Sequence, residues 1–139
     1  MLNSESRQQL EERKKLNSKP AYELEPVEAR IQFNKSKATF PPQIINIKSI
    51  EDRKISANNT EIGIRIFSDK EDTQQPLLVN FHGGGWVLGD LDADDSMCRK
   101  LAQLTGFKVI SVDYRLAPEY KFPTPLQDCY KSLIYLFEN

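Results

Sequence analysis

LLVNFHGGGWVLGDLDADDSMCRKLAQLTGFKVISV, residues 77–112, decides the fold. Leu77–Phe81 is a short apolar run with one polar residue, the signature of a strand covered on both faces. A glycine loop follows, His82–Gly89. From Asp92 to Thr105 the pattern is helical, with acidic residues at the start, Met97, Leu101 and Leu104 on one face, and Gly106 as the stop. Phe107–Val112 is a second buried-type strand. Strand, helix and strand joined by short connections make a right-handed βαβ unit with a parallel strand pair.

Working outward, Gln43–Ile50 alternates around Ile45, Ile47 and Ser49, which suits a half-buried strand. Asn58-Asn59 is a turn signal, and Glu61–Phe67 alternates again with Ile62, Ile64 and Ile66 on one face. These two segments are expected to pair antiparallel. Toward the other end, Thr124 and Gln127 form a capping box with Pro125 at the first helical position. Leu126, Cys129, Tyr130, Leu133, Ile134 and Phe137 then make a helical stripe. The fold class is therefore α/β: an antiparallel hairpin followed by a parallel βαβ unit, preceded by an N-terminal helical segment.

Residues 1–41 are set apart from a domain over 42–139, whose globular pattern starts near Pro42. Ser4 is a candidate cap for a helix to about Leu16, with only Leu10 and Leu16 as an apolar face. Pro26 is a candidate start for a second helix through Arg30 and Ile31. On composition this region reads equally as a lid-like cap and as a solvated, mobile tail.

The bulk numbers exclude several classes. There are 19 basic and 20 acidic residues in 139, so nothing selects nucleic acid or an anionic membrane as partner. No apolar run approaches the roughly 20 residues needed to span a bilayer, and the polar start MLNSESRQQLEERKK has no secretory apolar core. Cys98 and Cys129 lack metal-like spacing and fall in helical segments. They read as reduced, buried small hydrophobes of a cytoplasmic protein. His82 is the one histidine.

Three consecutive glycines, Gly83–Gly85, strip every Cβ from one stretch of backbone at the carboxyl end of a parallel strand. Glycine content alone fits a tight connector as well as a ligand-facing loop. The surroundings add to this. HGGGW-x-x-G-D at 82–90, YRLAPE at 114–119 and FPTPLQD at 122–128 together resemble the hormone-sensitive-lipase-like branch of the α/β-hydrolase esterases. The resemblance covers roughly residues 44–139. It implies that Gly84 and Gly85 offer backbone N–H groups to a substrate oxyanion, and that Gly83 shapes the turn. It implies that His82 orders the loop without acting as the catalytic base, and that Trp86 packs the loop beside the acyl-binding region. It places Asp113, Tyr114, Arg115 and Glu119 in a polar network bracing the neighbouring loop, and residues 1–30 in a helical cap. The implied activity is hydrolysis of small esters, without cofactor or metal.

Acyl transfer of this kind needs a nucleophilic serine, a base and an orienting acid. No G-x-S-x-G occurs in the 139 residues. In the family the order is serine, acid, histidine, so the triad is expected beyond Asn139 and the chain alone is expected to be inactive and marginally stable. Leu77–Phe81 would then be an exposed sheet edge, open to a complementary C-terminal piece or to self-association. Two other chemistries are weighed. A Cys98–His82 pair, or Ser96, would need a helix residue to reach the loop. A dinucleotide site is opposed by the spacing of Gly83, Gly85 and Gly89, and by the carboxylates of Asp90, Asp92, Asp94 and Asp95, which would repel a pyrophosphate.

Overall fold

The computed structural model describes residues 3–15, 18–39, 43–57, 59–71 and 74–139. Four α-helices, a 3-10 turn at Ala21–Glu23 and four strands are described: α1 Ser4–Lys15, α2 Pro26–Thr39, β1 Ser49–Ala57, β2 Thr60–Ser68, β3 Leu77–Phe81, α3 Asp95–Thr105, β4 Lys108–Asp113 and α4 Thr124–Glu138. The sheet order is β1-β2-β4-β3. β1 and β2 form an antiparallel hairpin, β4 runs antiparallel to β2, and β3 runs parallel to β4 with Leu78 beside Val109 and Phe81 beside Val112. No described helix is long and apolar enough to cross a membrane.

The period-2 alternation of β2 and β4 divides the core between the two sheet faces. On one face Ile55, Ile62, Ile64, Ile110, Val112 and Tyr114 pack with Cys129 of α4. On the other, Phe67 and Val109 pack with Cys98 and Ala102 of α3. Gly106 ends α3 at φ 68°, in the left-handed region, and its N–H donates to Ala102 O at 2.9 Å. The expected parallel strand pair and the helix stop are therefore in place.

Several boundaries differ from the sequence reading, each for a physical reason. The first strand is Ser49–Ala57, not Gln43–Ile50. Its charged run Glu51–Lys54 suits an edge strand, where both side-chain rows meet water. Residues 43–48 are extended, but they are held by α3 rather than by a ladder. Ser96 Oγ donates to Gln43 O at 2.8 Å and Arg99 Nη1 to Ile45 O at 3.3 Å. Ile45 and Ile47 are half-buried, so the alternation identified their inward face correctly. Asn59 turns the hairpin at φ 60°; Asn58, Leu16 and Pro42 lie outside the described residues.

α3 begins at Asp95 rather than Asp92, and its inward face is Cys98 and Ala102; Met97 and Leu104 point outward. α4 lacks the capping box: no side chain caps it, and Pro123 holds the cap position. Its stripe is also rotated. Pro125, Asp128, Cys129 and Ser132 are buried, whereas Leu126, Tyr130, Leu133, Ile134 and Phe137 are exposed. α1 is capped by Asn3, whose Oδ1 accepts from Ser6 N–H at 2.7 Å, and not by Ser4. α2 runs eight residues past Ile31, to Thr39. Leu77–Phe81 is half-buried, not covered, because it is an outer strand of the described sheet.

Candidate functional site

The loop His82–Gly89 leaves the end of β3 with an unusual backbone. Gly84 has φ 135°, Gly85 61° and Gly89 100°, and Trp86 is held at 65° despite its side chain. The turn closes on Gly84 O, which accepts from Val87 N–H at 3.2 Å and Leu88 N–H at 2.9 Å. Glycine is required at two of these positions by contact as well as by φ. A Cβ on Gly84 would overlap the Leu88 carbonyl, and one on Gly89 would overlap the His82 ring and Gly83 O. Among the described residues, the N–H groups of Gly84 and Gly85 donate to no acceptor, and both glycines are exposed.

His82 anchors the loop from below. It is 3% exposed and its ring stacks on Tyr114, centroids 4.3 Å apart. His82 Nδ1 lies 2.9 Å from Gly83 O. A carbonyl only accepts, so Nδ1 carries the proton and Nε2 is left an acceptor. That Nε2 is buried without a partner among the described residues. The Tyr114 hydroxyl donates to His82 O and lies 3.3 Å from His82 Nδ1. Burial pushes the Tyr114 phenol up to about 12, with the charges of Cys129 and Asp94 adding to the shift, so it stays a donor at neutral pH. Trp86 meets the Tyr114 ring edge-on at 5.3 Å, and its carbonyl accepts from Ala117 N–H at 2.8 Å. Tyr114→Phe leaves the His82 carbonyl without this donor. It is expected to cost about 1–3 kcal/mol, read as a lower denaturation midpoint. An unchanged midpoint would mean that stacking alone seats the loop.

The polar network divides into three parts. Asp113 ends β4 opposite Gly63 and lines a cavity of about 390 Å³ with Arg30, Asp90, Tyr114 and Glu119. Desolvation by its surroundings raises its carboxyl above the usual range, and the charge of Asp90 adds to the shift. Arg115 turns away from the loop toward α4. Its Nε and Nη2 donate to the fully buried Asp128 at 2.7 and 2.8 Å, and its backbone N–H adds a third bond at 3.2 Å. Glu119 pairs with Arg30, which holds its carboxyl down at about 2.

Arg30 and Asp128 are the functional-site residues that sequence reasoning missed. Arg30 projects from α2 and donates from Nε to Val87 O at 2.9 Å, from Nη2 to Ala117 O at 2.7 Å, and to both Glu119 oxygens at 2.6 and 2.8 Å. Lys37, two turns on, pairs with Asp90 at 2.8 Å. Helical phase placed Arg30 and Lys37 on one face, but nothing in the sequence pointed that face at the loop. The thiols do not join the site. Burial raises Cys98 to about 11, with Asp94 and Asp95 contributing, and raises Cys129 to about 11, with Asp128 contributing. Cys98 faces Phe67 and Val109, so the Cys98–His82 pairing is not formed. Ser96 bonds to Gln43 O instead of approaching His82.

Residues 78–139 match the family model described as the alpha/beta hydrolase fold. The chain is 33% identical to a hyperthermophilic esterase from the archaeon Pyrobaculum calidifontis, superposing with a TM-score of 0.87 over 99% of this chain and 44% of that one. It has the α/β-hydrolase fold and is similar to esterases and lipases. An arylesterase of Saccharolobus solfataricus is 44% identical over 63% of this chain and 29% of its own length. An ethyl acetate hydrolase of Pseudomonas putida is 35% identical over 86% of this chain and 39% of its own. This α/β-hydrolase chain thus spans less than half the length of each of these relatives. The glycine loop, β4 and α4 all fall inside the family match.

Proposed function

We propose that His82–Gly89 is the oxyanion hole of a carboxylic ester hydrolase acting on short-to-medium acyl esters. The observation that carries this is a pair of exposed backbone donors, Gly84 and Gly85 N–H, with no acceptor of their own. They lie on a loop whose shape is fixed from below by His82 and Tyr114. Donors held in advance of the reaction stabilise the charge that develops on an ester carbonyl oxygen as it becomes tetrahedral. Trp86, nearly half exposed at the rim, supplies an apolar wall for the acyl group.

The nucleophile, base and acid are supplied by polypeptide outside these 139 residues, because the one histidine is committed to the loop and no G-x-S-x-G is present. β3 is the strand beside which that polypeptide would pair, and the outward apolar faces of α3 and α4 would receive its side chains. The test is hydrolysis of p-nitrophenyl butyrate. The 139-residue chain alone is expected to give no turnover that a serine-directed phosphonate abolishes. The same chain joined to a segment bearing G-x-S-x-G, an acid and a histidine in that order is expected to turn over. Phosphonate-sensitive hydrolysis by the chain alone would put the nucleophile within it. No hydrolysis by the completed protein would end the esterase reading.

A further inference from the structure

One guanidinium ties three separate parts of the site together. Arg30 stands on α2 with its side chain half-buried. Its Nε bonds the carbonyl of Val87, the residue whose own N–H closes the loop onto Gly84 O. Its Nη2 bonds Ala117 O, and Ala117 N–H in turn bonds Trp86 O. Both Glu119 oxygens complete the set through Nη1 and Nη2. The loop that presents Gly84 and Gly85 is therefore held from below by His82 and Tyr114, and from α2 by Arg30.

We infer that Arg30 is a positioning residue for the glycine loop: docking of α2 through Arg30 fixes the direction of the Gly84 and Gly85 N–H groups. The inference rests on the oxyanion-hole reading for its catalytic consequence, though not for its structural one. Only a planar fork with several fixed N–H directions satisfies two carbonyls and a bidentate carboxylate at once, whereas a lysine is a single point of charge. Lys37–Asp90 is a separate tether and does not touch the loop carbonyls. An α2 that stays attached through Lys37 would still leave Val87 O without its donor.

The experiment compares Arg30→Gln, Arg30→Lys and Glu119→Gln in the full chain by native-state amide hydrogen exchange. In Arg30→Gln the amides of Val87, Leu88 and Ala117 should exchange about tenfold faster or more through local opening. Those of Val109–Val112 in the sheet should keep their protection. Arg30→Lys should not restore the loop, and Glu119→Gln should fall between. Unchanged loop exchange in Arg30→Gln overturns the inference. Equal acceleration of loop and sheet also overturns it, since that reports a general loss of stability. In the completed esterase, Arg30→Gln should lower kcat about tenfold or more with KM nearly unchanged, as for a displaced catalytic group. A raised KM with kcat intact would assign Arg30 to substrate access and overturn the positioning role. Absence of ester turnover in the parent protein would sink the esterase reading, while the exchange result would still decide what Arg30 does.

Discussion

Gly84→Ala is expected to lower the ester turnover proposed for the completed protein by roughly 10²-fold or more, the scale of losing one oxyanion donor. Two effects act together. The alanine methyl would overlap the Leu88 carbonyl oxygen, a backbone atom that cannot swing aside as a side chain does. The φ of 135° is also one that an L-residue scarcely adopts. The loop must therefore unwind its Gly84–Leu88 turn, and the two donors lose their common direction. Gly85→Ala separates the two effects. No atom lies in the path of its Cβ, and its φ of 61° falls in the left-handed region that alanine enters at moderate cost. Its turnover should be reduced much less. The readout is kcat for p-nitrophenyl butyrate in the completed protein, with loop amide exchange as a companion. Equal turnover in Gly84→Ala and the parent would remove Gly84 from the oxyanion hole.

Asp128→Ala should be the most damaging single change to the stability of the fold. The carboxylate is fully buried and accepts three bonds from Arg115, one of them from backbone. Removing it leaves a partly exposed guanidinium and a backbone N–H without their acceptor. Breaking a buried pair in this way costs about 3–5 kcal/mol, out of a total that for ordinary domains is about 5–15 kcal/mol. The thermal midpoint by circular dichroism should fall by roughly 10–20 °C for a chain of this size. Asp128→Asn keeps an acceptor and should lose less. A fall of only a few degrees in Asp128→Ala would mean that water replaces the carboxylate and that the α4 contact is looser than the geometry indicates.

The parts of the fold that were legible in the sequence are those where periodicity and punctuation agree. Val109–Val112 is a continuous buried run, Ile62–Ile66 alternates cleanly, and Gly106 stops a helix in the left-handed conformation that glycine favours. What misled was apolar content taken as a proxy for inwardness. On α4 the larger apolar residues point outward and the inward row is Asp128, Cys129 and Ser132, because the guanidinium of Arg115 has to be met there. A hydrophobic stripe cannot reveal that, since the partner lies in another element. β1 was misplaced for the same kind of reason. Glu51–Lys54 are polar throughout, and their strand character comes from pairing with β2 rather than from burial. The unusual backbone at Gly84 and Gly85 was legible because it is local to those residues. Arg30 was not, since its partners Val87, Ala117 and Glu119 lie over fifty residues away in sequence.

The strand order also sets a timetable. β4 pairs on one side with β2 and on the other with β3, both of which precede it in the chain. During synthesis the β1–β2 hairpin and the glycine loop leave the ribosome before the strand that joins them. Tyr114, Ala117 and Glu119, which seat the loop and receive Arg30, come later still. Non-local pairing of this kind is slow to form and leaves strand edges open meanwhile. The glycine loop is thus made early but shaped late, and a nascent chain paused before Asp113 holds every residue of the loop without the Tyr114, Ala117 and Glu119 contacts that complete its seat.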